Sequence, residues 1–140
     1  MPKPHQDTTA PTLLQDLRAG TATLHVALEK RLPFFSEHLD AAWYRRLIQA
    51  YFGFYQPLEA ALHDSGLIPA GYDPEQRRKT PALAGDLQAL GLAPERIDAL
   101  PRCDHLPALA SPGACLGALY VLEGATLGGQ ILRREMAQRL

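Results

Sequence analysis

The 140-residue chain is predicted to be all-α. Apolar residues recur at helical spacing in several separate stretches, and helix-start residues stand immediately before them. No convincing alternating strand or internal repeat interrupts the pattern. With 46% hydrophobic residues, the chain can bury a core as one small domain, read as residues 12–140 after a disordered segment 1–11.

The first helix starts at a T-x-x-Q capping box, Thr12 to Gln15. Leu14, Leu17, Thr21, Leu24, Leu28 and Leu32 form its apolar stripe, and Pro33 ends it. Asp40 caps a second helix, in which Trp43, Leu47, Tyr51, Phe54, Leu58 and Leu62 mark the side expected to be buried. Pro57 is expected to kink or interrupt that helix, and Gly53 to loosen the turn before it. Gly66, Pro69, Gly71 and Pro74 make the next segment a connection. Thr80 as cap and Pro81 at the first position open a third helix, with Leu83, Leu87 and Leu90 inward and Gly91 as its stop. Pro94 opens a short fourth helix through Leu100, and residues 101–110 read as a loop.

Ser111 and Pro112 then start a long helix that runs to Leu140, with Leu116, Leu119, Leu127, Ile131 and Leu132 at helical spacing. Its oddity is glycine, which costs roughly 1 kcal/mol against alanine inside a helix. Winding at about 100° per residue places Gly113, Gly117, Gly124 and Gly128 on one face, leaving a groove of bare backbone; Gly129 falls elsewhere. Such a groove lets a second helix approach closely, or it receives a large flat ligand, with Gly124 to Gly129 also letting the helix bend.

Charge and cysteine content exclude several classes of partner. Lys and Arg number 14 against 15 Asp and Glu, so overall charge gives no reason to expect nucleic acid. Cys103 and Cys115 are too few and too far apart for a disulfide scaffold, which suits a reducing cytoplasm. The first residues lack the apolar run of a signal peptide, and no stretch is read as approaching a membrane span. His38, His63 and His105 stand alone, and there is no HExxH, GxSxG, P-loop or Rossmann fingerprint. His25 lies at the edge of the first helix's stripe, with Arg18 seven residues before it on nearly the same side and Glu29 one turn after it. A packed, hydrogen-bonded histidine and a ligand-binding one both fit that position.

Two motifs bear on this choice. Thr21 to His25, a T-x-x-x-H followed by Glu29, and YVLEGATLGGQIL, Tyr120 to Leu132, together resemble the bacterial haem oxygenase family, including members associated with bacteriophytochromes. The resemblance covers roughly Thr12 to Leu140 and implies a haem oxygenase-like helical bundle. It also implies haem b between the first and the glycine-bearing helices, with His25 as the iron ligand and Glu29 orienting its ring. Gly124, Gly128 and Gly129 would form the catalytic oxygen-binding face, and Arg18 and Tyr120 would hold the propionates.

The implied reaction is oxidative cleavage of haem to biliverdin, carbon monoxide and ferrous iron. It would use O2 and electrons from a ferredoxin or flavin reductase, in the cytoplasm, for iron acquisition or a bacteriophytochrome pathway. Ala125 stands where many animal-type members carry a distal aspartate. The chain also stops at Leu140 inside a helical pattern where the family continues, so the C-terminal helices are expected to be missing. A haem-binding or sequestering protein without turnover and an all-α interaction module are the alternatives.

Overall fold

Thr12 and Gln15 close a reciprocal cap in the computed structural model, which describes residues 11–32, 34 and 37–139, with side chains at 127, 128, 135 and 139 excepted. The Gln15 N–H donates to the Thr12 hydroxyl at 3.3 Å, and the Thr12 N–H to the Gln15 side-chain carbonyl at 2.7 Å. Helix α1 (Leu13–Arg31) follows and ends at Leu32, whose extended backbone suits a residue preceding proline. Pro33 itself and the segment 1–10, expected to be disordered, lie outside the described residues.

The chain divides into two units, Met1–Glu37 and His38–Leu140. No residue of α1 is buried, in contrast to the expected inward stripe: Leu14, Leu17, Leu24 and Leu28 all stand exposed on its surface.

The second unit is built around α2 (Ala41–Ser65), followed by α3 (Pro74–Arg77), α4 (Thr80–Ala89), α5 (Pro94–Asp98) and α6 (Pro112–Arg139). No strand occurs among the described residues. Asp40 caps α2 by accepting from the Trp43 N–H at 2.6 Å, and Gly66 closes it in the left-handed conformation, φ 63°. One half of α2 packs Ile48 and Phe52 against Leu87 of α4 and Ile97 of α5. Its other half packs Leu58 and Leu62 against Cys115, Leu119 and Leu122 of α6. Feeding two clusters shifts the buried face away from the expected stripe. Leu47, Leu58 and Leu62 are buried as expected and Trp43 is half-buried, but Tyr51 and Phe54 are exposed while Ile48, Phe52 and Gly53 are inside.

Pro57 does not interrupt α2, whose helical structure runs on through it. A proline removes the N–H that would bond the carbonyl four residues earlier, here that of Gly53. That carbonyl instead accepts from the Cys103 N–H at 2.8 Å, so the loop after α5 satisfies the group that Pro57 leaves free. Gly53 permits this because a Cβ there would lie 2.4 Å from the Pro101 carbonyl oxygen. Its role is close approach of two backbones, not a loosened turn. Arg102, stacked over the Phe52 ring at 4.6 Å and donating to the Gln56 side chain at 2.9 Å, pins the same loop.

The start of α4 also differs from expectation. Thr80 is its first residue, not its side-chain cap, and the segment before it holds the short helix α3, capped by Asp73. The capping carboxylate comes from α2: Glu59, 7% exposed at its side chain, accepts from the Lys79 N–H at 2.6 Å, the Thr80 N–H at 3.2 Å and the Thr80 hydroxyl at 2.5 Å. Free N–H groups at a helix start favour such an anion. Glu59→Ala should destabilise the protein by about 1–3 kcal/mol, because buried donors lose their acceptor. Urea unfolding measures this, and an unchanged midpoint would rule the cap out. Helix α5 ends at Asp98, two residues short of the expected Leu100, in a turn where the Leu100 N–H bonds the Ile97 carbonyl at 3.1 Å.

Ser111 caps α6 as expected, accepting from the Ala114 N–H at 3.1 Å. Its buried stripe is Cys115, Leu119 and Leu122, whereas Leu116 and Ile131 are exposed and the side chain of Leu127 lies outside the described residues. The helix is continuous through Gly124 to Gly129. Contrary to the expectation that no stretch approaches a membrane span, Pro112–Gln138 is long and apolar enough to cross one by length and composition, with mean hydropathy 1.3. Alanine, leucine, isoleucine and valine raise that mean. Contacts of Cys115, Leu119 and Leu122 to α2 and an ion-paired glutamate in mid-helix hold α6 along one narrow stripe, and most of the apolar stretch is exposed.

Candidate functional site

In the first unit the informative group is His25. It sits in the C-terminal half of α1 with its side chain 72% exposed, and its Nδ1 lies 3.4 Å from the Glu29 carboxylate one turn later. A carboxylate at one ring nitrogen orients an imidazole and leaves Nε2 as the lone-pair donor. Arg18 is also exposed on α1, seven residues and so roughly 10 Å along the axis from His25. Within its own unit the histidine is exposed, as is the whole of α1, with a carboxylate one turn away.

In the second unit the informative surface is the open side of α6. A Cβ built at Gly117, Gly124 or Gly129 meets no heavy atom within 4 Å, and at Gly113 only the Ser111 hydroxyl, at 3.9 Å. Among the described residues, no helix of this unit packs into the glycine groove at Gly113, Gly117 or Gly124. The surroundings of Gly128 lie outside the described residues. Winding at about 100° per residue sets Gly113, Gly117 and Gly124 opposite the buried stripe of Cys115, Leu119 and Leu122. One side of α6 holds the helix to the core; the other presents bare main chain. Tyr120, 66% exposed, flanks that bare side, as does Val121.

Sequence reasoning missed the polar groups that hold α6. Glu123 lies beside Gly124, and the Arg77 guanidinium of α3 grips it through two nitrogens: Nε donates to one carboxylate oxygen at 3.1 Å and Nη2 to the other. The Tyr72 hydroxyl donates to the same carboxylate at 3.4 Å. Hydrogen bonding from Arg77 holds the Glu123 carboxyl below the usual carboxylate range, although partial burial opposes it. Burial and the neighbouring Glu123 charge push the Tyr72 phenol up. The available signal was Glu123 itself, a carboxylate four residues after the inward Leu119 in an otherwise apolar run, which calls for a partner.

A shallow cleft of about 20 Å³ lies along this seam and is lined by Glu59, Leu62, Tyr72, Arg77, Leu119 and Glu123 among others. That is far below the several hundred Å³ of a small-ligand pocket. Its charged groups are already engaged with one another, Arg77 with Glu123 and Glu59 with Arg78 and the start of α4, so it is a polar seam between elements. Tyr51, Phe54 and Tyr55 of α2 form edge-to-face ring pairs with centroids 6.1 and 5.8 Å apart; the two tyrosine phenols are pushed up by burial. Among the described residues no group of three or more His, Cys, Asp or Glu side chains could hold a bare metal ion.

The described residues define an all-helical protein whose first unit exposes an imidazole 3.4 Å from a carboxylate and whose second exposes the glycine side of a long helix. Comparison with known proteins gives the family. The family model described as heme oxygenase matches residues 11–140, and the chain belongs to the haem oxygenase family. It is similar to a heme oxygenase of Xanthomonas campestris pv. campestris (strain 8004), 32% identical over 102 residues that cover 73% of this chain. The matched part spans 58% of that relative's length. No solved structure matches the chain.

Proposed function

We propose that the protein is a haem oxygenase that cleaves haem b to biliverdin, carbon monoxide and ferrous iron with O2 and electrons from a ferredoxin or flavin reductase. The observation that carries this reading is His25, an exposed imidazole whose Nδ1 is within ion-pair distance of Glu29, in a chain of the haem oxygenase family. The family match runs through both units, so we treat them as parts of one domain.

Bound haem supplies both the iron that takes up O2 and the ring that is oxidised; the chain supplies binding and orientation. His25 gives its Nε2 lone pair to the iron, and Glu29 fixes the ring and raises its basicity. Arg18 on α1 offers a planar guanidinium to a propionate, and Tyr120 on α6 a phenol. Gly124, Gly128 and Gly129 carry no side chain that could coordinate iron or obstruct oxygen, and their helical carbonyls each keep a second lone pair that can accept from ordered water in place of the distal aspartate that Ala125 replaces. Free Cys103 and Cys115 suit the reducing cytoplasm in which we place the protein. The bacteriophytochrome pathway is one outlet for the biliverdin, and iron supply is the other.

The test is direct. Ferric haem and a reducing system under air should bleach the Soret band of the protein-bound haem, with a bilin absorbance growing in its place. Haem that binds and keeps its Soret band throughout would instead identify a sequestering protein, and a folded chain that takes up no haem an interaction module.

A further inference from the structure

We propose that Glu123, clamped by Arg77 and Tyr72, is a positioning residue that sets the roll of α6 and thereby the presentation of the Gly124 backbone to the haem. This rests on the haem oxygenase reading above and adds a residue role to it.

The argument starts from how α6 is held. Its buried contacts are a narrow stripe, Cys115, Leu119 and Leu122, facing Leu58 and Leu62 of α2. Apolar contacts of this kind are non-directional, so a stripe anchors a helix along its length more firmly than it fixes rotation about its axis. Opposite the stripe, among the described residues, nothing lies within 4 Å of a Cβ built at Gly117 or Gly124. A flank contact with strict geometry is what resists roll, and the two-nitrogen grip of Arg77 on Glu123 is such a contact.

Its placement suits that task. Winding at about 100° per residue puts Glu123 on the flank between the buried stripe and the glycine side, and Gly124 is the next residue along, about 1.5 Å further on the axis. The Tyr72 hydroxyl bonds the same oxygen that Arg77 Nε does, and Tyr72 itself packs against the Leu58–Leu119 cluster. The clamp is therefore tied both to the core and to α3. The Glu123 side chain is 26% exposed and that of Arg77 54%, so the value of the contact lies in direction more than in overall stability.

The experiment uses Glu123→Gln, which keeps the shape but not the charge, Arg77→Lys, which keeps the charge but not the fork, and the exchanged pair Arg77→Glu with Glu123→Arg. Amide hydrogen exchange is read first, on the protein without haem. Exchange across Leu119–Gly129 should quicken about tenfold in Glu123→Gln, as a local opening would produce, while amides of α4 stay at wild-type rates. The ferrous–carbon monoxide stretching frequency and the proportion of bilin isomers are then read with haem bound. Both should shift in Glu123→Gln, shift less in Arg77→Lys, and return toward wild type in the exchanged pair.

Wild-type exchange in Glu123→Gln would overturn the clamp. Faster exchange with an unaltered stretching frequency and isomer pattern would reduce it to a structural contact and overturn the positioning role. A wild-type protein that takes up no haem refutes the functional reading, and with it the purpose given to the clamp. That failure is distinct, because the exchange measurement needs no haem.

Discussion

His25→Ala is expected to lose the imidazole-ligated haem spectrum and to lower bilin formation by more than about a hundredfold, beyond the roughly 10–100-fold that loss of a neighbour of a metal ligand costs. The imidazole is exposed on α1 and buries no apolar surface in its own unit, so its removal should leave folding unchanged. That separation makes the variant informative: circular dichroism and thermal unfolding stay at wild-type values while ligation disappears. Glu29→Gln, which keeps the shape at 3.4 Å from Nδ1 but not the charge, should retain the ligated spectrum and lose about tenfold in rate. Added imidazole should restore part of the His25→Ala spectrum. A variant spectrum identical to wild type would remove His25 as the ligand and transfer the problem to another side chain.

Gly53→Ala is expected to be the most damaging methyl group that can be added to the second unit. The new Cβ would meet the Pro101 carbonyl oxygen at 2.4 Å, and that oxygen belongs to a backbone whose neighbour Cys103 is bonded to the Gly53 carbonyl at 2.8 Å. Either the loop lifts and leaves the Gly53 carbonyl unpaired below Pro57, or α2 shifts against Phe52 and its cluster. Overpacking of this kind costs about 1–3 kcal/mol, and the upper end is expected because a hydrogen bond is lost with it. A chain of this length should then lose on the order of 5–10 °C in Tm. Gly85→Ala is the matched control. Gly85 lies in α4 with open space around it, so the same methyl should stabilise by roughly 0.5–1 kcal/mol through helix propensity. Equal Tm values for the two variants would show that the loop does not dock on Gly53 in solution.

The helices were largely legible because their starts are local chemistry. Thr12 with Gln15, Asp40 and Ser111 each cap the helix that follows through bonds spanning three residues, which a one-dimensional pattern records. Thr80 failed as a cap for the opposite reason. The group that satisfies those N–H donors is Glu59, some twenty residues earlier on another helix, and no local pattern points to it. Pro57 misled in the same way: the local rule says that a carbonyl is orphaned, and only the fold supplies Cys103 to satisfy it.

The candidate site divides along the same line. By itself, the sequence determined the helical class, the family motifs, the lone imidazole with its carboxylate one turn away, and the glycine face of the last helix, because each is a matter of spacing along one helix. The tertiary structure alone decided which faces those helices bury, that the loop 101–103 closes on Gly53, and that Arg77 and Tyr72 hold the carboxylate beside Gly124. Contacts of that kind join residues some fifty positions apart, as Tyr72 and Glu123 are. Their geometry depends on how two helices lie against each other, and helical periodicity shows that a face is apolar without naming what will cover it.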